Sequence, residues 1–160
     1  MQKSRGFTLI ELIVVLVILG ILGAFAVPRF VDLQEEARTA SLKGLKGSVH
    51  GAASLAHGKA LANSTHSADD SIQVQGKTIT MSGKWPTADV DGIESMLQDT
   101  SGFNSTSTGT CQNATLAAFD CIQFYPTGVS DNSTCYVDYA INSTGSVDTP
   151  LFDMDSSDCS

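Results

Sequence analysis

Residues 7–30 read FTLIELIVVLVILGILGAFAVPRF, and this stretch decides how the chain is built. The apolar run from Phe7 to Val27 is long enough for a helix that spans a bilayer, which needs roughly 20 apolar residues. Glu11 is the one charged side chain in the run. A comparable charge at the centre of a membrane helix costs ~2.5–3.5 kcal/mol on insertion scales. The stretch therefore predicts a helix whose carboxylate needs a partner.

The basic residues before this run and the small residues behind it allow two ordinary interpretations. Lys3 and Arg5, together with the Ala24-Phe25-Ala26 triplet, fit a secretory signal peptide that is cleaved after Ala26. Glu11 and the length of the run count against it. The run also fits a plain membrane anchor, with Lys3 and Arg5 kept on the cytoplasmic side, but this interpretation leaves Glu11 without a partner.

In a third interpretation only residues 1–6 are removed, as a leader peptide. Phe7 is then the N-terminus, and its new amino group is a cation four residues before Glu11. A neighbouring copy of the chain, shifted along its axis, could place its own amino group beside Glu11. Assembly would then neutralise the carboxylate.

The stretch GFTLIELIVVLVILGILGAFAVPRF resembles the N-terminus of type IV prepilins. The resemblance rests on a short basic leader, Gly6 before Phe7, Glu11 at the fifth position after that point, and Pro28 after the apolar run. The continuation VDLQEEARTASLKGLKG and the late four-cysteine domain are most similar to mannose-sensitive haemagglutinin pilins.

This resemblance implies that a prepilin peptidase cuts between Gly6 and Phe7 and methylates the new amino group. It implies that Glu11 pairs with the N-terminus of a neighbouring subunit, and that the helix loosens between Gly20 and Pro28. The implied partners are further copies of the chain, the peptidase, the inner-membrane pilus assembly machinery and, for the monomer, the membrane. Within one chain, Glu11 could instead pair with its own Phe7 amino group or favour the positive end of the helix dipole.

The second part of the helix is predicted from the spacing of its apolar residues. They recur at close to helical spacing at Phe30, Leu33, Ala37, Leu42, Leu45, Val49, Ala52, Ala56 and Ala60. We therefore predict one helix over residues 8–61, hydrophobic in its first half and amphipathic in its second. Four glycines of the second half are predicted to let the protein's own sheet approach closely; they are Gly44, Gly47, Gly51 and Gly58.

The remaining chain predicts an α+β head. Alternating patterns predict strands over residues 71–75, 77–82, 122–125 and 135–141, and a short helix over 91–98. An antiparallel sheet that packs on the long helix would bury both apolar faces. The predicted divisions are residues 1–6 as the leader, 7–29 as the transmembrane or filament-core helix, and 30–160 as the head.

Four cysteines lie in the last third of the chain, at Cys111, Cys121, Cys135 and Cys159. An even number of cysteines, with no CxxC spacing, predicts two disulfides formed in an oxidising compartment. Three pairings are possible, of which the sequential one closes the smallest loops.

The charges are divided between the two halves of the chain. The net charge is −8, and no lysine or arginine follows Lys84. Binding to nucleic acid through phosphates needs such bases, so a nucleic-acid partner is not expected. The acidic tail 153–158 is predicted to be a solvated surface, with a calcium site as the alternative.

No catalytic constellation or metal site is expected from the titratable residues. His50 and His57 would share a helix face without a carboxylate or thiol at ligand spacing. Residues 89–92 (DVDG) match only part of a calcium loop. We therefore expect a structural protein rather than an enzyme, with no cofactor: a major pilin held in the inner membrane, its head in the periplasm, before assembly into a surface filament. A pseudopilin of a type II secretion system and a secreted binding protein are the alternatives.

N-terminal sequencing and intact mass of protein sheared from the cell surface distinguish these interpretations. We expect a chain that begins at Phe7 and is heavier by one methyl group. A chain that begins at Val27 would instead identify a cleaved signal peptide.

Overall fold

The computed structural model describes residues 7–63, 71–107, 109, 111, 113, 116, 118–129, 132–142 and 149–159, with the backbone alone for residues 27–32. The predicted α+β class is confirmed, with one long helix followed by antiparallel strands. The helix is α1 (Leu9–Ala62), and the strands are β1 (Ser71–Val74), β2 (Lys77–Ser82), β3 (Trp85–Pro86), β4 (Phe103–Ser107), β5 (Asp120–Pro126), β6 (Cys135–Ile141) and β7 (Leu151–Ser156). The predicted leader, Gly6 included, lies outside the described residues.

Helix α1 extends well beyond the head that packs on it. Its 54 residues correspond to ~80 Å at 1.5 Å per residue, and its bounds agree with the prediction to within one residue. The backbone stays helical through Gly20, Gly23 and Pro28. The loosening of this segment, which the resemblance implies for the assembled state, stays a prediction.

The described strands form two antiparallel sheets. The first has the order β1-β2-β3, and the second the order β4-β5-β6-β7. The predicted hairpin is confirmed: β1 and β2 pair around Gly76, whose φ of 81° suits glycine. The predicted β5 and β6 are likewise confirmed as antiparallel neighbours.

The edge strands of the second sheet were not predicted. β4 reads FNSTS, which has the polar composition of a loop. β7 begins just before the acidic tail and includes Asp153 and Asp155, which are half-buried and paired in register with β6. The reading of residues 153–158 as a solvated surface is therefore wrong for 153–156, because backbone pairing to β6 orders them.

The predicted helix over residues 91–98 is a short distorted turn, Val90–Glu94, that continues for two helical residues. Gly92 interrupts it with φ −95° and ψ −108°. The Asp89 carboxylate accepts hydrogen bonds from the Gly92 N–H at 2.7 Å and from the Thr87 hydroxyl at 3.0 Å. Asp89 therefore caps the turn, which explains the partial likeness of this stretch to a calcium loop.

One face of α1 carries the core of the head in three successive clusters. Leu42 packs against the Cys135–Cys159 disulfide and Val137. The next helical turns contact the four-stranded sheet, through Leu45, Val49, Ala53, Ile122, Phe124, Tyr139 and Ile141. The last contact the three-stranded sheet, through Ala56, Ala60, Ile72, Ile79 and Met81. Both sheets thus use the same side of the helix.

The four glycines of the second half of α1 face away from the sheets. Gly44, Gly47, Gly51 and Gly58 are exposed, and a Cβ added to any of them would meet no atom within 4 Å. The prediction that they admit the protein's own sheet is wrong. The sheets pack on another face of the helix instead, through leucine, valine and alanine side chains that bury apolar area.

Aromatic stacking joins the same face of α1 to both sheets. The ring of His57 stacks on Trp85 of β3 with the ring centroids 3.9 Å apart, and His50 stacks on Phe152 of β7 at 3.5 Å. The prediction that His50 and His57 share a helix face is confirmed. The buried Tyr139 hydroxyl donates a hydrogen bond of 2.7 Å to the Pro86 carbonyl, which ties the two sheets together.

Gly92→Ala should destabilise the head. The added Cβ would lie 2.2 Å from the Thr87 carbonyl oxygen, and overpacking of this kind costs typically 1–3 kcal/mol. Thermal or denaturant unfolding in detergent measures the change. Gly102→Ala is the matched control, because a Cβ at that position meets no atom within 4 Å. Equal stability of the two variants would contradict the packing described here.

Candidate functional site

The first half of α1 exposes a continuous apolar surface. Residues Leu9–Ala26 are long and apolar enough to cross a membrane, and none of them is buried within the chain. Phe7, just before the helix, is 95% exposed. Burial of such side chains is worth ~1.5–3 kcal/mol each, so this surface is the strongest indication of an external partner, either lipid or other helices.

Glu11 already has hydrogen-bond partners within its own chain. Its Oε2 accepts hydrogen bonds from the Thr8 N–H and from the Thr8 hydroxyl, each at 2.8 Å. The Glu11 N–H in turn donates to Thr8 Oγ1 at 3.3 Å. This reciprocal capping box satisfies two donors at the start of the helix. The sequence signal that predicts it is the TLIE stretch, in which threonine is followed three residues later by glutamate.

The predicted processing and assembly residues occupy one exposed segment and form no enclosed pocket. Phe7, Glu11 and Gly20 all lie on the uncovered part of the chain, and a Cβ at Gly20 would meet no atom within 4 Å. Pro28 lies within α1, with only its backbone described. Gly6 lies outside the described residues. The roles predicted for these five residues in processing, methylation and assembly stay predictions.

The disulfides join the cysteines sequentially. Cys111 pairs with Cys121, and Cys135 pairs with Cys159, with Cα–Cα distances of 5.3 and 5.1 Å. Arg38 of α1 donates hydrogen bonds to the Cys159 carbonyl at 2.8 Å and to the Gly128 carbonyl at 3.2 Å. The C-terminal end of the head is thereby held to the helix.

A polar patch lies on the face of the second sheet that points away from α1. The Tyr136 hydroxyl donates to Asp153 Oδ2 at 3.4 Å, and Asn113 Nδ2 donates to the same oxygen at 2.9 Å. Burial, and then the charges of Asp153, Asp138 and Asp155, raise the pKa of Tyr136 from 10.0 to about 12. The phenol of Tyr136 therefore keeps its proton to higher pH than a solvent-exposed tyrosine does.

One cluster of potential metal ligands occurs among the described residues. It consists of Cys111, Cys121 and Asp138, whose ligand atoms lie within 4.8 Å of one another. The two sulfurs are bonded to each other, so neither is available as a thiolate ligand. The geometry of this cluster suits a disulfide with a neighbouring carboxylate rather than a metal centre.

The N-terminal segment is similar in sequence to known proteins. Residues 1–27 match the family model described as the prokaryotic N-terminal methylation motif. The resemblance to type IV pilins is confirmed. The finer likeness to mannose-sensitive haemagglutinin pilins stays a prediction.

Several curated relatives are similar to part of the chain. The type IV narrow pilus major component PilA5 of Thermus thermophilus is 50% identical over 55 residues, 34% of this chain and 47% of that protein. The type IV major pilin protein PilA of Myxococcus xanthus is 46% identical over 41 residues, 26% of this chain and 19% of that protein. The type II secretion system core protein G of Klebsiella pneumoniae is 51% identical over 37 residues, 23% of this chain and 26% of that protein.

The chain thus spans about half the length of the Thermus relative, and about a quarter or less of the other two. No solved structure matches the chain significantly. The family model covers residues 1–27, and the matches of these relatives cover at most 34% of the chain, so most of the head is described by this structure alone.

Tyr136 should make stability fall at high pH. The folded head holds the phenol proton more tightly than the unfolded chain, so the stabilisation is complete below pH 10 and is lost as the pH rises to about 12. We expect the free energy of unfolding to fall less steeply over this window in Tyr136→Phe than in the wild type. Tyr125→Phe, on the neighbouring strand β5, is the control and should retain the wild-type slope. Equal slopes for Tyr136→Phe and the wild type would refute the assignment.

Proposed function

We propose that this chain is the precursor of the major structural subunit of a type IV pilus. Prepilin peptidase removes residues 1–6 and methylates the amino group of Phe7, and the mature chains polymerise through α1. The observation that carries the proposal is the uncovered apolar surface of Leu9–Ala26, which lies within the residues that match the N-terminal methylation motif. The relatives named type IV major pilins support it.

Polymerisation exchanges one apolar environment for another. In the membrane, lipid tails cover the first half of α1, and in the filament the same halves of neighbouring subunits would cover one another. Association of apolar helices relies on close packing and on interhelical hydrogen bonds. Gly20 and Gly23, which leave open space on the helix surface, permit such close approach, while the head stays outside this bundle.

Glu11 supplies an ion pair between neighbouring subunits in this assembly. Before processing, its carboxylate is held by the backbone and hydroxyl of Thr8. After processing, the Phe7 amino group is a cation, and the Phe7 amine of an incoming subunit can pair with the Glu11 of a subunit already in place. A carboxylate in an apolar bundle is stabilised only where such a partner sits, so the pairing fixes the axial register between subunits.

The proposed locations follow from the same features. The monomer crosses the inner membrane once, with its head in the periplasm, where an oxidising environment allows both disulfides to form. The inner-membrane assembly machinery then moves it into a filament on the cell surface. This filament serves adhesion or motility.

A pseudopilin of a type II secretion system is the second candidate. The similarity to core protein G of Klebsiella pneumoniae favours it, over 37 residues at the N-terminus. Electron microscopy of sheared cell surfaces separates the two functions, because a major pilin yields long extracellular filaments and a pseudopilin does not.

Two substitutions of Glu11 test the ion pair. Glu11→Val removes both the charge and the capping box, whereas Glu11→Gln keeps an acceptor for Thr8 and removes only the charge. We expect both variants to accumulate in the membrane as processed monomers without extending filaments. The measurements are the yield of sheared filaments and the amount of processed chain in the membrane.

Glu36→Gln, on the exposed part of α1 beyond the apolar segment, is the control and should assemble normally. Normal filaments from Glu11→Gln but not from Glu11→Val would assign Glu11 to helix capping instead of subunit pairing. Normal filaments from both would refute its role in assembly.

A further inference from the structure

A carboxylate lies beside one of the two disulfides in the interior of the head. Asp138 is fully buried, and one of its oxygens and the sulfurs of Cys111 and Cys121 all lie within 4.8 Å of one another. Strand pairing produces this arrangement. Cys121 of β5 is opposite Ala140 of β6, and Asp138 lies two residues before Ala140. It is therefore the diagonal neighbour of Cys121 on the same face of the sheet.

The side chains near this carboxylate are an amide, apolar groups and acids. The amide is that of Gln123 on β5, which lies directly opposite Asp138 in the strand register and is itself buried. Leu116 and Ala140 pack around the disulfide, with Phe119 at the border. The titratable groups nearby on β6 and β7 are Tyr136, Asp153 and Asp155, whose mutual interaction shows in the raised pKa of the tyrosine. Burial favours the protonated form of a carboxyl group, so a buried carboxylate is a better proton acceptor than an exposed one.

The two cysteines differ in their exposure to solvent. Cys111 is 9% exposed, whereas Cys121 is 1% exposed. An external oxidant therefore reaches Cys111 first, and Cys121 completes the bond from the interior. A buried thiol has no water to take its proton and is a poor nucleophile until it becomes a thiolate.

We propose that Asp138 is the intramolecular proton acceptor for closing the Cys111–Cys121 disulfide. The Cys111 thiolate attacks the disulfide of an oxidant such as glutathione disulfide, forming a mixed disulfide and releasing one glutathione. Asp138 then takes the proton from the Cys121 thiol, and the Cys121 sulfur attacks the Cys111 sulfur. The second glutathione leaves as a thiolate that solvent protonates, and Asp138 returns its proton to solvent. Two protein thiols are oxidised, and one glutathione disulfide is reduced to two glutathiones.

The reverse reaction uses the same group. When a reductant thiolate attacks Cys111, the Cys121 sulfur leaves into the interior, and the protonated Asp138 neutralises it. Asp138 should therefore accelerate both the opening and the closing of this disulfide. The second disulfide is an internal comparison, because among the described residues no carboxylate or histidine forms such a cluster with Cys135 and Cys159.

Disulfide exchange in the full-length chain, kept in detergent micelles, tests this role. The native oxidised protein is opened with dithiothreitol, and after removal of the reductant it is closed again with glutathione disulfide. Samples are quenched in acid, their free thiols are alkylated, and mass spectrometry of the cysteine peptides follows each disulfide separately. General acid–base catalysis typically contributes 10²–10⁴-fold, so in Asp138→Asn we expect both rates for Cys111–Cys121 to fall at least about tenfold, with the rates for Cys135–Cys159 unchanged.

Two further variants distinguish proton transfer from a structural effect. Asp91→Asn removes an exposed carboxylate that lies outside the sheet carrying Asp138 and should leave both rates at the wild-type level. Asp138→Glu restores a carboxylate and should recover part of the lost rate. Circular dichroism of the oxidised variants, before the reductant is added, confirms that opening starts from the folded head.

Three results would overturn the proposal. The first is wild-type opening and closing rates in Asp138→Asn. The second is equal slowing of both disulfides in that variant, which would reveal a general loss of structure. The third is a rate in Asp138→Glu as low as in Asp138→Asn, which would show that the carboxylate is not the group that matters.

Discussion

The apolar surface of Leu9–Ala26 has no partner in the described part of its own chain, and the rest of the molecule is arranged around that constraint. The described residues of the head contact α1 between Arg38 and Ala60 and leave its first half free for lipid or for other helices. The first half of α1 contains one carboxylate, that of Glu11. This carboxylate accepts hydrogen bonds from the N–H and the hydroxyl of Thr8. The chain thus has two parts. The first half of α1 needs an external apolar environment, and the head packs on the second half of the same helix.

Much of this arrangement could be predicted because it depends on patterns that are local in sequence. The 3.6-residue spacing of apolar residues gave the bounds of α1, and alternation gave β1, β2, β5 and β6. Residues 7–30 likewise indicated the family resemblance. The edge strands β4 and β7 were missed, because an edge strand is defined by its neighbour and its own composition can be that of a loop, as in FNSTS. The distorted turn at 90–94 was misread because the dihedral angles of Gly92 depend on its contact with Thr87.

The candidate sites likewise include some that the sequence indicates and one that requires the structure. Phe7 and Glu11 were indicated by the sequence because a charge in an apolar run is conspicuous at any position. The carboxylate beside Cys111–Cys121 could not be found, since it requires both the disulfide pairing and the register between β5 and β6. Asp138 is one of eleven acidic residues after Lys84, and sequence alone offers no reason to select it. Only the diagonal relation to Cys121 across two strands distinguishes it.

The exposed glycines of α1 have a consequence for how the molecule unfolds. Each glycine within a helix costs roughly 1 kcal/mol relative to alanine, and the four from Gly44 to Gly58 contact nothing that offsets this cost. The second half of α1 would therefore melt on its own, and it is kept helical by Leu42, Leu45 and Val49 against the sheets. Loss of the sheets should therefore unfold this part of the helix as well. A chain whose sheets have not formed would expose the second half of α1 to proteases.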